Sequence, residues 1–192
     1  MKLALGGLLA GGLVAFACAP ALAQTPGPFT LTSTTFKDGT LMPKKVANMN
    51  APGATPNANC VGENVSPQFT WTGAPADTKS FVFTMVDPEG RGGAGVMHWL
   101  AYGMPATKTS FAEGETTNDG PTYIGGKSTQ GVGHYSGPCT PPGTPHHYTF
   151  VVIATDFDPK QFQPGMTIPE MWAQLPGHGK AAAGMVGLFV KP

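Results

Sequence analysis

The sequence predicts a mostly β protein whose strands run largely antiparallel. Short apolar segments, several with strict alternation, recur along the chain, and Pro-Gly turns such as Gly73-Ala74-Pro75 separate them in place of regular helices. Only one segment carries clean helix start and stop signals. Charged residues make up 11% of the chain beside 27 Gly and 20 Pro, a composition that alone reads as disorder, but the apolar alternation argues for a loop-rich folded protein.

The first two strands are expected at Phe29 to Thr35 and Gln68 to Thr72. Ser80 to Val86 follows, with Phe81, Phe83 and Met85 on one face. Asp87 continues that face just before Pro88 ends the run. In the strand at Met97 to Met104, Val96, His98, Leu100 and Tyr102 alternate, which places His98 among core-facing neighbours. From Gly133 to Tyr148 the chain is too rich in Gly and Pro to be helical. Pro138, Pro141, Pro142 and Pro145 stiffen this loop, which delivers His146 onto the strand at His147 to Thr155. His146, Tyr148 and Phe150 share one face of that strand, and His147 lies on the other. The helix is expected between Pro169 and Leu175, stopped by Pro176-Gly177, with a second short helical turn over Lys180 to Ala183. A last strand covers Met185 to Val190. Between Lys45 and Cys60 a polar, Pro-rich segment without periodicity reads as a surface insertion, with a position over a pocket mouth as the second reading.

Export bounds the setting. Met1-Lys2, an apolar run from Leu3 to Ala17 and the pattern Ala21-Leu22-Ala23 predict a signal peptide over residues 1–23, cleaved before Gln24. Lipidation at Cys18 is the weaker alternative, because Ala15-Phe16-Ala17 lacks the Leu of a good lipoprotein box. The run is short and Gly-rich for spanning, so no transmembrane segment is expected in the mature chain, residues 24–192, which reads as a single periplasmic or secreted domain. That chain carries ten basic and eleven acidic residues, net −1, without a basic run, which excludes nucleic acid as a partner. Cys60 and Cys139 are its only cysteines. An oxidising compartment favours a bridge between them over two buried thiols.

The chemistry concentrates in a few residues. Asp87, Glu89, His98, His146 and Tyr148 are expected to converge at one edge of a sheet, and Tyr135 lies on the approach to the Gly-Pro loop as a rim residue. Imidazoles, framed by loop amides, supply the donors that a phosphate or carboxylate needs. Without further information, Asp87 reads equally well as a turn cap before Pro88, and His98 as a satisfied core histidine. Asp87, His98 and His146 are acceptable zinc ligands, but no His-x-His or His-Glu-x-x-His spacing supports a metal-dependent hydrolase. Ser136 near His134 does not form the Gly-x-Ser-x-Gly elbow of a serine hydrolase.

At these residues the chain resembles the phosphatidylethanolamine-binding proteins, and within them the bacterial Raf-kinase-inhibitor-like branch. The likeness is carried by Gly62-Glu63-Asn64-Val65-Ser66-Pro67 with Trp71, Asp87-Pro88-Glu89, His98-Trp99, Gly137-Pro138-Cys139 through Gly143, His146 with Tyr148, Gly177-His178 and Gly187-Leu188-Phe189. It covers about Phe29 to Val190. The resemblance implies a large central antiparallel sheet, a smaller flanking sheet and short C-terminal helices. It also implies a pocket for anionic, phosphoryl or phospholipid-headgroup-like ligands, lined by Asp87, His98, Gly137, Pro138, His146 and Tyr148, with no cofactor, no metal and no catalysis. Some members of the family inhibit kinases or proteases, and an extracytoplasmic protease is the alternative partner. Two departures stand out. His147 replaces the arginine usual at its position, and Gly90-Arg91-Gly92-Gly93 replaces a rigid Ala-Pro continuation, bringing in the chain's only arginine, as a solvated loop residue or a contact for Glu89 or ligand.

Overall fold

A computed structural model describes residues 27–192; the expected signal peptide, its cleavage site and Cys18 lie outside the described residues. Among the described residues nine strands form, named in chain order: β1 (Thr30–Thr32), β2 (Thr40–Leu41), β3 (Phe69–Thr72), β4 (Ser80–Asp87), β5 (Val96–Pro105), β6 (Ser110–Phe111), β7 (Ile124–Gly125), β8 (His146–Thr155) and β9 (Gly179–Phe189). The larger sheet has the order β2-β9-β8-β4-β5-β7, and the smaller one β1-β3-β6. All pairs are antiparallel except β2 with β9, so the large sheet is mixed and not purely antiparallel as expected. A four-residue helical turn, α1 (Gly90–Gly93), follows β4, and a helix, α2 (Ile168–Gln174), precedes β9. No helix among the described residues is long and apolar enough to cross a membrane.

The hydrophobic segments bury two separate surfaces of the large sheet. Phe81, Phe83 and Met85 on β4 and Phe150 on β8 face the small sheet, where they meet Phe69, Trp71 and Phe111. Phe69 lies 5.0 Å from Phe83 and 4.9 Å from Phe150 between ring centroids, tilted contacts that add to the burial of large aromatic surfaces. Val82, Leu100 and Tyr102 face the other way, onto Met171 of α2 and onto Phe157 and Phe162 of the loop before it.

The expected helical turn over Lys180 to Ala183 is instead the start of β9. Ala181, Ala182 and Ala183 pair with Ala154, Ile153 and Val152 of β8, and this long register overrides the alanines' preference for helix. Ala181 and Ala183 still pack against the inter-sheet core.

One irregularity reshapes the future site. Met85 pairs with Trp99, but Val86 pairs with Met97, so His98 is an extra residue opposite no partner. Such a β-bulge breaks the alternation of faces. Leu100 and Tyr102 pack on the α2 side, whereas His98 meets Tyr148 of the inter-sheet side edge-on at 5.2 Å. The expectation that His98 shares a face with Leu100 and Tyr102 is corrected by this bulge.

Candidate functional site

The strand ends of β4, β5 and β8 bring Asp87, His98, His146 and Tyr148 around one pocket of 170 Å³. Asp87 is almost fully buried, and both of its oxygens are engaged: the Gly90 N–H donates to Oδ1 at 2.9 Å, and His146 Nδ1 lies 2.8 Å from Oδ2. Asp87 therefore does act as a turn cap, and it orients a histidine as well. Gly90 is needed for this turn, since a Cβ there would sit 2.5 Å from Val96 Cγ2. A carboxylate oxygen accepts, so His146 carries its proton on Nδ1 and leaves Nε2 as its second nitrogen.

His98 is held in the same way. Its Nδ1 lies 2.7 Å from the carbonyl of Ser136, an acceptor only, so Nδ1 bears the proton and Nε2, 4.0 Å from Asp87 Oδ2, is left over. Burial pushes the His98 pKa below the ordinary histidine value, as does the neighbouring His146, against upward pulls from the Ser136 bond and the Asp87 charge. Tyr148 shares a 2.6 Å hydrogen bond with the Thr140 hydroxyl, and its burial pushes the phenol's pKa well up, so it stays neutral. Thr140 and Gln130 also line the pocket, and sequence reasoning missed both. Thr140 lies within the Gly137 to Gly143 motif, which was the available signal, whereas Gln130 belongs to no alternating strand, charged run or motif.

Arg91 lines the pocket from α1 with φ of 57°, a left-handed conformation that costs an ordinary residue on the order of 1 kcal/mol.

Other expected site residues lie elsewhere. Glu89 does not line the pocket. It is exposed, and it binds His147 through Oε1 to Nδ1 at 2.7 Å and through the His147 backbone N–H at 3.2 Å. Tyr135 does not line this pocket: its ring is buried, its hydroxyl donates to Val46 O at 2.8 Å, and it contributes instead to the lining of a neighbouring cavity. Gly137 and Pro138 sit behind the pocket wall, so their amide and carbonyl do not frame a ligand. The Gly137 N–H donates to Asn64 Oδ1 at 2.8 Å, and Pro138 O accepts from Asn48 N at 2.8 Å. His178, of the Gly177-His178 motif, pairs with Asp156 at 2.7 Å and lies on Phe157.

The Gly62 to Pro67 motif explains why that wall is rigid. The backbone over Val46–Asn48 runs between Gly62 and Gly137, and a Cβ on either glycine would fall 2.1 Å from a carbonyl oxygen, of Ala47 or Val46 respectively. Asn64, with φ of 55°, then donates its amide to Tyr135 O at 3.3 Å while accepting from Gly137. Gly137→Ala is expected to destabilise the protein by about 3 kcal/mol, the high end for overpacking, because the obstacle is backbone and not a movable side chain. Urea unfolding checks this, and an unchanged midpoint would contradict it. The same wall is tied by a disulfide between Cys60 and Cys139, 79 residues apart.

A cation could use part of this cluster. Asp87, Glu89 and His146 each offer one ligand atom, all within 4.8 Å of one another, although each carboxylate is already engaged by a histidine.

Comparison with known proteins follows the geometry. The model of the family described as phosphatidylethanolamine-binding protein matches residues 32–190. The UPF0098 protein YbcL of Escherichia coli is 41% identical over 100 residues, covering 50% of this chain and 55% of YbcL, so that alignment spans about half of the relative. LppC of Mycobacterium tuberculosis, whose name carries the word lipoprotein, is 31% identical over 172 residues, 87% of this chain and 77% of LppC. The crystal structure of Escherichia coli YbcL, described as a new member of the mammalian PEBP family, superposes with a TM-score of 0.73 at 29% identity, covering 84% of this chain and 98% of the other. Because the matched stretch carries the large sheet and every residue of the pocket, the chain belongs to the phosphatidylethanolamine-binding protein family.

Proposed function

We propose that this is an exported binding protein that holds a small phosphoryl or phospholipid-headgroup-like anion in the Asp87–His98–His146–Tyr148 pocket without turning it over. The observation that carries this reading is the pair of imidazoles with Nδ1 already committed, to Ser136 O and to Asp87 Oδ2, so that each has only Nε2 left for a ligand. Protonation of both would outweigh the single Asp87 charge, and Arg91 at the pocket adds a fixed cation. A volume of 170 Å³ suits a headgroup better than a larger molecule.

Binding without turnover fits the way the pocket's hydroxyls are engaged. The two hydroxyls that line the pocket beside the histidines, those of Thr140 and Tyr148, hydrogen-bond to each other at 2.6 Å. Export is supported by the Ala21-Leu22-Ala23 pattern, by the disulfide and by the lipoprotein name of a relative. The test is mass spectrometry of small molecules released from the purified protein, followed by incubation with phosphorylethanolamine. Phosphorylated species should be released, and added phosphorylethanolamine should bind one to one and be recovered intact. Absence of both release and binding, or hydrolysis of the ester, would refute the reading.

A further inference from the structure

A second cavity, of 350 Å³, adjoins the anion pocket, and Gln130 lines both. Ser136 lines the second cavity and is linked to the first through His98. Its carbonyl accepts from His98 Nδ1 at 2.7 Å, while its hydroxyl accepts from the Asn48 side-chain amide at 3.0 Å and belongs to the lining of the second cavity. The outer wall is Met49, Ala51 and Pro52, residues of the Pro-rich segment read from sequence as a surface insertion. Met49 remains 46% exposed, which leaves apolar surface available at the cavity wall.

This segment is fixed at both ends. The Asn48 N–H donates to Pro138 O at 2.8 Å, and the Asn57 N–H donates to Asn50 Oδ1 at 2.7 Å. Cys60 then bonds to Cys139, which itself lines the anion pocket. A wall tethered in this way keeps its shape, as a binding surface must to avoid an ordering cost on each encounter.

A pocket of 170 Å³ takes a phosphoryl group with a small headgroup, so an organic part larger than that must leave over the rim. We propose that such a larger organic part passes Gln130 into the second cavity, and that the preferred ligand is a phosphoester with an apolar body packed on Met49 and Pro52. The insertion is then a specificity wall and not a neutral loop. This inference rests on the anion-site reading.

Isothermal titration with two probes separates the levels. Inorganic phosphate tests the anion pocket alone, and phenyl phosphate adds one apolar ring. Phenyl phosphate should bind wild type about tenfold or more tightly than inorganic phosphate, through apolar surface removed from water. Ala51→Trp, at an exposed position where an indole would fill the cavity, and Met49→Ala should each reduce that advantage severalfold while leaving phosphate affinity unchanged. Equal affinities for the two probes in wild type would overturn the proposal, as would an advantage that survives both substitutions. If neither probe binds, the anion-site reading itself fails and this inference falls with it.

Discussion

Reduction of the Cys60–Cys139 bridge is expected to lower the unfolding free energy by about 4.5 kcal/mol, the chain-entropy value for releasing a loop of about 80 residues. Against a total stability on the order of 5–15 kcal/mol, this is a large fraction. The effect acts chiefly through the unfolded chain, which regains the freedom that the bridge removed. The folded state contributes as well, because Cys139 lies in the pocket wall and Cys60 ends the segment that borders the second cavity. Urea unfolding with and without reductant, repeated on a Cys60→Ser/Cys139→Ser double variant, measures the loss. A difference below about 1 kcal/mol would show that the bridge does not constrain the fold in the way the chain-entropy argument requires.

The strands were legible from alternation: β8 buries mainly one face, which imposes a period of two, and β4, buried on both, still sets its largest side chains at alternate positions. Phe81, Phe83 and Met85 on β4 and Tyr148, Phe150 and Val152 on β8 all face the inter-sheet core. The two-residue strands β2, β6 and β7 were not legible, because an element that short shows no period. The start of β9 was misread for another reason: Ala181, Ala182 and Ala183 favour helix locally, and only pairing with the distant β8 makes them strand.

The pocket divides along similar lines. Asp87, His146 and Tyr148 project from strand positions whose face follows from alternation, and the structure brings them together. His98 arrives there through a bulge that no local pattern announces. Gly137 and Pro138 lie in a motif of the family likeness, but their place is behind the wall, where Gly137 lets two backbones approach. Charge alone could not show that Glu89 turns outward to His147. That outcome follows from the pairing of two side chains across neighbouring loop and strand ends.

The most direct test is the pH dependence of phosphorylethanolamine binding in wild type, His98→Ala and His146→Ala, followed by isothermal titration from about pH 5 to 8, the range of histidine titration. A bound anion favours imidazolium, so it raises the histidine pKa above the ligand-free value. For His98 that ligand-free value is already held down by burial. The histidine contribution to affinity is therefore full below the ligand-free pKa and is lost as pH rises through the pKa of the complex. A transition-metal ion on the same residues needs neutral imidazole and would bind more tightly as pH rises. The ester's own second ionisation, at a pH of about 6, affects all three proteins alike, so the ratio of wild-type to variant affinity isolates the histidines. That ratio should reach roughly tenfold to a hundredfold at the acidic end, the worth of one charge-assisted hydrogen bond at about 1.5–3 kcal/mol, and shrink toward pH 8. A ratio of one for both variants at the acidic end would contradict the assignment of His98 and His146 to an anion site.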